Sequence, residues 1–343
     1  MRACSGVRNT YAFGVPKPRK QGNGLSINQS TLPTQADKNE LPPKPESTAR
    51  FELLDDGTIA ATGAEREGTP TLAYHHQGYG IWLYQGNCLE LLDAIARKYP
   101  EGRFDCIFAD PPYFLSNGGI TCHAGKMAKV DKGRWDKSQG ADENHFFNRA
   151  WLQRCQRVLK PNGTIWVSGT LHVIFSIGFA MQQLGFRILN DITWEKPNPP
   201  PNLGCRCFTH STETVLWAAR DEKSQYTFHY DLMRQLNRGK QMKTVWTMTA
   251  ASAGEKELGR HPTQKPLALV ERCLLASTNE GDCVLDPFLG SGTTAVASVR
   301  NRRQCIGIEA EQVHALYAER RVREAISNGT DLFSSIRPAI ALA

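Results

Sequence analysis

The stretch Phe104-Asp-Cys-Ile-Phe-Ala-Asp110-Pro111-Pro112-Tyr113 decides how this chain of 343 residues folds. Its first residues are a largely apolar run of strand character, and the two prolines remove two backbone N–H donors and fix φ. A strand therefore ends at Asp110, and a stiff turn follows. One carboxylate, rigid backbone carbonyls and an aromatic ring are left together at a strand's carboxyl end, the edge where open α/β sheets bind ligands. Such an acceptor-rich corner suits a planar heterocycle carrying an exocyclic amine. The amine hydrogens would go to Asp110 and the Pro111 carbonyl while the ring lies on Tyr113.

Strand and helix patterns alternate on both sides of this stretch, which calls for a mostly parallel sheet covered on both faces. Upstream, Gly80-Ile-Trp-Leu-Tyr-Gln-Gly reads as a strand and Asn87 as the N-cap of a helix. Downstream come a helix over 144–159, a buried strand over 163–169, a helix over 171–184, and strands over 187–195 and 209–218. The last two are joined by a proline-rich connector and suit a reversed pair at the sheet edge. Residues 114–140, rich in Gly and Lys, show no sustained periodicity and read as a loop that contacts a polyanion and closes on the site, the plainer reading being an exposed basic loop.

A second anchor lies near the other end of the chain. His261-Pro-Thr-Gln-Lys-Pro266 opens a helix, and Asp282-Cys-Val-Leu-Asp286-Pro-Phe288-Leu-Gly290-Ser-Gly292-Thr-Thr carries a buried strand through a glycine turn into another. The glycines let the backbone approach a ligand, and the helix start offers unpaired N–H groups. Neither the GxGxxG fingerprint nor a Walker loop is present, so phosphate loses ground as the ligand. The next strand ends in Glu309, placed to accept both hydroxyls of a ribose. A ribose acid without a phosphate motif suits S-adenosylmethionine.

Composition excludes little else. A formal charge of +7 and an isoelectric point near 8.9 permit a polyanionic partner without demanding one. No run is long and apolar enough to span a membrane, and the ten scattered cysteines contain no CxxC pair. They read as reduced thiols of a cytoplasmic protein, several of them buried as small hydrophobes. Cys205, Cys207 and His210 have poor zinc spacing, so no metal is expected. Residues 1–48 are too polar to bury a core and read as a disordered extension; 49–78 read as a linker with short strands, 79–219 as the catalytic half, 220–258 as a target-recognition insertion, 259–325 as the cofactor half and 326–343 as a tail. In the insertion, Arg234, Arg238, Lys240 and Lys243 are interleaved with Tyr226, Phe228 and Trp246, a mixture that phosphate and base contacts both require. A small core of its own is the alternative. In the 114–140 loop the candidate polyanion contacts are Lys126, Lys129, Lys132 and Arg134.

The order Asp-Pro-Pro-Tyr, His-Pro-Thr-Gln-Lys-Pro, Asp-Pro-Phe-Leu-Gly-Ser-Gly-Thr-Thr resembles the β-class DNA amino-methyltransferases, in which the catalytic half precedes the cofactor half. Asp-Pro-Pro-Tyr-Phe-Leu-Ser-Asn-Gly-Gly, Lys-Gly-Arg-Trp-Asp-Lys and Phe-Thr-His-Ser-Thr-Glu-Thr look closer still to the second adenine methyltransferases of GATC-specific systems of the DpnII and MboI kind. The resemblance covers about residues 79–325. It implies an α/β, Rossmann-like S-adenosylmethionine-dependent methyltransferase fold with a seven-stranded, mostly parallel sheet in permuted order. It also implies methyl transfer to adenine N6 in DNA, after the base is flipped from its duplex. Asp110, Pro111, Pro112 and Tyr113 would be catalytic; Asp286, Phe288, Gly290, Gly292, Glu309, Thr263, Gln264 and Lys265 would hold the cofactor, Thr263, Gln264 and Lys265 at its carboxylate end. Single-stranded DNA as a second substrate, a homodimer and a cognate restriction endonuclease stay open, as do two alternatives: cytosine-N4 methylation and a catalytically silent DNA-binding relative.

Overall fold

Strand β5 (Phe104–Ala109) stops at the two prolines, and the other parallel strands are aligned beside it. The computed structural model describes residues 51–61, 69–116, 120–123, 126–129, 136–202, 204–259 and 261–329. Before β5 come a hairpin of β1 (Phe51–Leu53) and β2 (Ile59–Ala61), then β3 (Thr71–His76), β4 (Ile81–Gln85) and α1 (Cys88–Lys98). After it come a small hairpin of β6 (Ile120–His123) and β7 (Lys126–Lys129), α2 (Ala141–Val158), β8 (Leu159–Gly169), α3 (Ile174–Gln183), β9 (Arg187–Glu195) and β10 (Thr212–Ala219). The chain continues with α4 (Tyr230–Leu236), β11 (Val245–Thr247), α5 (Leu267–Ser277), β12 (Cys283–Asp286), α6 (Thr293–Arg300), β13 (Gln304–Glu309) and α7 (Gln312–Ser327).

The main sheet has nine strands in the order β11-β9-β10-β8-β5-β12-β13-β4-β3. Seven of them are the expected strands; β11 and β3 add one to each edge. β3 lies ahead of the start expected near Tyr79 and pairs antiparallel with β4. β10 runs antiparallel to both β8 and β9, and the remaining inner pairs are parallel. The reversed pair is thus real but not at the edge, because β11 covers β9.

The period of two along β5 divides the core. Ile107 and Ala109 face a cluster with Leu91 and Ile95 of α1, Trp151 of α2 and Ile177 of α3. Cys106 and Phe108 face the opposite cluster, with Leu269, Val270 and Cys273 of α5. Each such fully buried large side chain contributes about 1.5–3 kcal/mol. Asn87 caps α1, its Oδ1 accepting the Leu89 N–H at 2.9 Å.

Residues 220–258 form no separate body. Helix α4 packs on α5, and β11 extends the sheet in register with β9. The Trp166 and Trp217 rings stack at 4.7 Å, with Tyr226 edge-on to Trp217 at 5.4 Å and Trp246 tilted 6.2 Å from Trp166. Tyr226 and Trp246 therefore cover the sheet's second core instead of facing a base.

Candidate active site

Asp110 leaves β5 at the carboxyl edge of the sheet with both carboxylate oxygens engaged. Oδ1 accepts the Ser168 hydroxyl at 2.5 Å and the Tyr113 hydroxyl at 2.7 Å, and Oδ2 accepts the Lys265 ammonium at 2.6 Å. Ser168 comes from the end of β8, the strand paired with β5. Glu213, at the start of β10, lies 3.6 Å from the same ammonium, accepts from Tyr113 at 3.2 Å and is paired with Lys196. Two carboxylates thus share two ammonium groups in a site where Lys265 is 6% exposed. Burial pushes the Lys265 pKa down, but Asp110 and Glu213 outweigh it and the net shift is upward. Burial likewise pushes Glu213 up, and Lys265 and Lys196 bring it below the usual carboxylate value.

The turn after β5 is fixed by a residue that sequence reasoning did not single out. Asp136 is fully buried and accepts the Tyr113 N–H at 2.9 Å, the Leu115 N–H at 3.2 Å and the Ser116 hydroxyl at 2.8 Å. The prolines set this turn's φ; Asp136 satisfies the donors they leave. Ser168, Glu213 and Lys196 were also missed, because they converge only through strand pairing. The available signals were Glu213 inside the quoted Phe-Thr-His-Ser-Thr-Glu-Thr segment and Ser168 directly after the apolar run Ile165-Trp-Val. Tyr113 is buried, with Lys265 5.2 Å from its ring centroid, and its hydroxyl bonds draw the ring inward. Burial and then the two carboxylates raise its pKa well above the ordinary phenol value.

The cofactor candidates meet the Asp110 corner in one cavity of about 670 Å³, lined by Pro111, Pro112, Tyr113, Thr263, Gln264, Lys265, Asp286, Phe288, Gly290 and Glu309 among others. Asp286 ends β12 and accepts from Thr294 at 2.6 Å and from the Phe288 N–H at 3.0 Å; burial pushes it up to about 7. Glu309 ends β13 and accepts the Gly290 N–H at 2.7 Å and the Glu311 N–H at 2.8 Å; burial pushes it, too, up to about 7. Gly290 has φ +54°, and a Cβ there would stand 3.3 Å from the His261 ring. Gly292 has φ +83° and seats α6 against Ala318, so it shapes the turn from behind. Lys265 departs from the expected place at the cofactor's carboxylate end, since the pull of Asp110 and Glu213 turns its ammonium to the catalytic corner.

The cavity's chemistry is selective. Glu90, Asp110, Asp136, Asp286 and Glu309 line it, and Lys265, already paired, is the one lysine or arginine among the described lining residues. That excess of acceptors repels phosphate and suits a cationic ligand with hydroxyl and amine donors. Gln264 adds a buried Oε1 with no hydrogen-bond donor among the described residues.

The candidate DNA contacts are dispersed. Arg234, Arg238, Lys240 and Lys243 are exposed and line no part of the cavity. Lys132 and Arg134 lie outside the described residues; Lys126 and Lys129 are in β7, within the stretch expected to be a loop, and their side chains lie outside the description. Among the described residues no group suits a metal ion, and no helix is long and apolar enough to cross a membrane.

A permuted, mostly parallel sheet with an acid at the end of β5 and a phosphate-averse cavity beside it defines a Rossmann-like methyltransferase. A family model described as DNA methylase, the N6/N4 methyltransferases, matches residues 104–320, and the chain belongs to this family. It is 56% identical to the type II methyltransferase M2.DpnII of Streptococcus pneumoniae over 229 residues, covering 66% of this chain and 85% of that protein. It is 47% identical to the type II methyltransferase M2.MboI of Moraxella bovis over 242 residues, covering 71% and 87%. Among solved structures, an M1.HpyAVI–SAM complex superposes with a TM-score of 0.55 at 28% identity, covering 71% of this chain and 98% of that one. The cytosine-N4-specific PvuII DNA methyltransferase shares the fold, with a TM-score of 0.57 at 19% identity and coverage of 78% and 99%.

Proposed function

We propose that this protein transfers a methyl group from S-adenosylmethionine to adenine N6 in double-stranded GATC sites. The observation that carries the reading is that the Asp110 corner and the acid-rich cofactor pocket open into one cavity. The pocket's residues fit the cofactor: Glu309 for the ribose hydroxyls, Asp286 and the turn from Phe288 to Gly292 for the methionine portion, Gln264 and Thr263 for its polar end. When bound, S-adenosylmethionine supplies an activated methyl group on a sulfonium. Asp110 and the Pro111 carbonyl receive the two amine hydrogens of the target base, which orients the nitrogen lone pair away from them and into the cavity. A carboxylate has about four acceptor sites, and the three bonds already on Asp110 leave room for the amine. Pro112 stiffens the turn, Tyr113 supplies a ring wall, and Lys265 is the carboxylate's counter-charge at 2.6 Å. Positioning the reactants is the main contribution, and the proton lost from nitrogen goes to Asp110 or to water.

The identity to M2.DpnII and M2.MboI supports the GATC assignment and a restriction–modification setting, with a cognate endonuclease as the system's other member. The same reading extends to single-stranded DNA as a second substrate, to a homodimer and to a cytoplasmic location. Expression in a methylation-free host, followed by modification-sensitive sequencing, tests the reading. N6-methyladenine in GATC, absent with Asp110→Ala, is the expected result. Methylation elsewhere overturns the site, and N4-methylcytosine overturns the base.

A further inference from the structure

Phe208 is 97% exposed, more than any other large apolar side chain described. It sits on the loop from Lys196 to Ser211, between β9 and β10, and this loop is built rather than slack. Prolines at 197, 199, 200 and 201 stiffen its first half. Asn202 braces the second, its Nδ2 donating to the Cys207 carbonyl at 2.8 Å and its Oδ1 accepting the Gly204 N–H at 3.0 Å. Cys205 is held in the left-handed region at φ +48°. A braced turn that holds a phenyl ring wholly in water gains nothing from it in folding.

The loop's neck joins the catalytic corner. The Lys196 N–H donates to the Ser211 carbonyl at 2.7 Å, and the Lys196 ammonium pairs with Glu213, which accepts from Tyr113. Thr214 stands opposite Gly169, next to the Ser168 that holds Asp110. From 196 to 211 the sequence contains Lys196, Arg206 and His210 and no acid, and Arg206 and His210 are exposed beside Phe208. A braced aromatic flanked by Arg206 and His210, on a loop that leaves β9 at the same carboxyl edge of the sheet as Asp110, matches what an unstacked base step offers: a ring face between two phosphates.

We propose that the loop 196–211 enters the DNA duplex and that Phe208 fills the gap in the stack left by the extruded base. This inference rests on the reading that the target base leaves its duplex, and it assigns DNA contact to a segment outside the basic residues considered above. Phe208→Ala and Phe208→Trp are compared with the unaltered full chain in single-turnover methylation of a GATC duplex and of the same strand unpaired. Duplex affinity is measured alongside by fluorescence anisotropy, and extrusion by 2-aminopurine at the target position. Phe208→Ala is expected to lose on the order of tenfold on the duplex, the size of one base–aromatic stack, with a dimmed 2-aminopurine signal. It should lose no more than about twofold on the single strand, and Phe208→Trp should restore the duplex rate. Equal rates on the duplex, or equal losses on both substrates, overturn the proposal. If the unaltered chain methylates no adenine, the functional reading fails by itself, and an unchanged duplex affinity in Phe208→Ala then overturns the insertion.

Discussion

Replacing Lys265 by Met removes a cation that two buried carboxylates share. Its ammonium lies 2.6 Å from Asp110 and 3.6 Å from Glu213, and the three side chains are 6%, 16% and 11% exposed, so solvent screens them little. Breaking a buried pair by deleting one partner typically costs about 3–5 kcal/mol. Lys196 still faces Glu213, and Asp110 opens on the cavity, which places the expected loss near the lower end, about 3 kcal/mol. At roughly 2 °C per kcal/mol for a domain of this size, Tm falls by about 6 °C. The pH dependence identifies the cause. Because Lys265 and Lys196 hold Glu213 below its ordinary value of 4.5, that stabilisation is present above 4.5 and is lost as pH falls through the lower, folded pKa. The deficit of Lys265→Met is therefore full at pH 8 and shrinks only below pH 4.5, toward pH 3. Urea unfolding of both proteins across this range measures it. A deficit below about 1 kcal/mol at pH 8, or one equally large at pH 3, would refute the shared-cation argument.

Three further outcomes are expected. Ser168→Ala removes a 2.5 Å donor from Asp110, and a charged hydrogen bond of about 1.5–3 kcal/mol translates into a kcat at least tenfold lower. S-adenosylhomocysteine affinity, measured by calorimetry, should hardly change; a parallel loss would place Ser168 in the cofactor pocket instead. Asp136→Ala removes the shared acceptor of three donors and should cost about 2–3 kcal/mol in urea unfolding together with most of the activity. Near-normal turnover in that variant would mean that the prolines alone hold the turn. Since burial pushes Glu309 up to about 7 and ribose hydroxyls donate to its ionised form, S-adenosylhomocysteine affinity should rise with pH toward 8, by at most about tenfold per unit below 7. Glu309→Gln should flatten that profile, and an unchanged slope would assign it to Asp286, which burial also brings to about 7.

The sequence by itself determined the alternation of strands and helices, the strand end at Asp110, the glycine turn after Asp286 and the acid at Glu309. Each of these is a local matter of side-chain period, proline's fixed φ or glycine's positive φ, so a short window of residues is enough to read it. Tertiary structure alone decided the electrostatics. Lys265 belongs to the segment expected at the cofactor's end, yet the convergence of β5 and β10 draws it onto Asp110 and Glu213. Asp136 and Glu213 stand in segments that resemble the family and Ser168 follows an apolar run, but no local window gives their roles, because their partners lie 23, 100 and 58 residues away along the chain. Tyr226 and Trp246 of the 220–258 segment could not be placed for the same reason: a tryptophan free to meet a base and one needed to cover a sheet read alike until β11 pairs with β9. A contact made by strand order is invisible to any window shorter than the crossover that creates it.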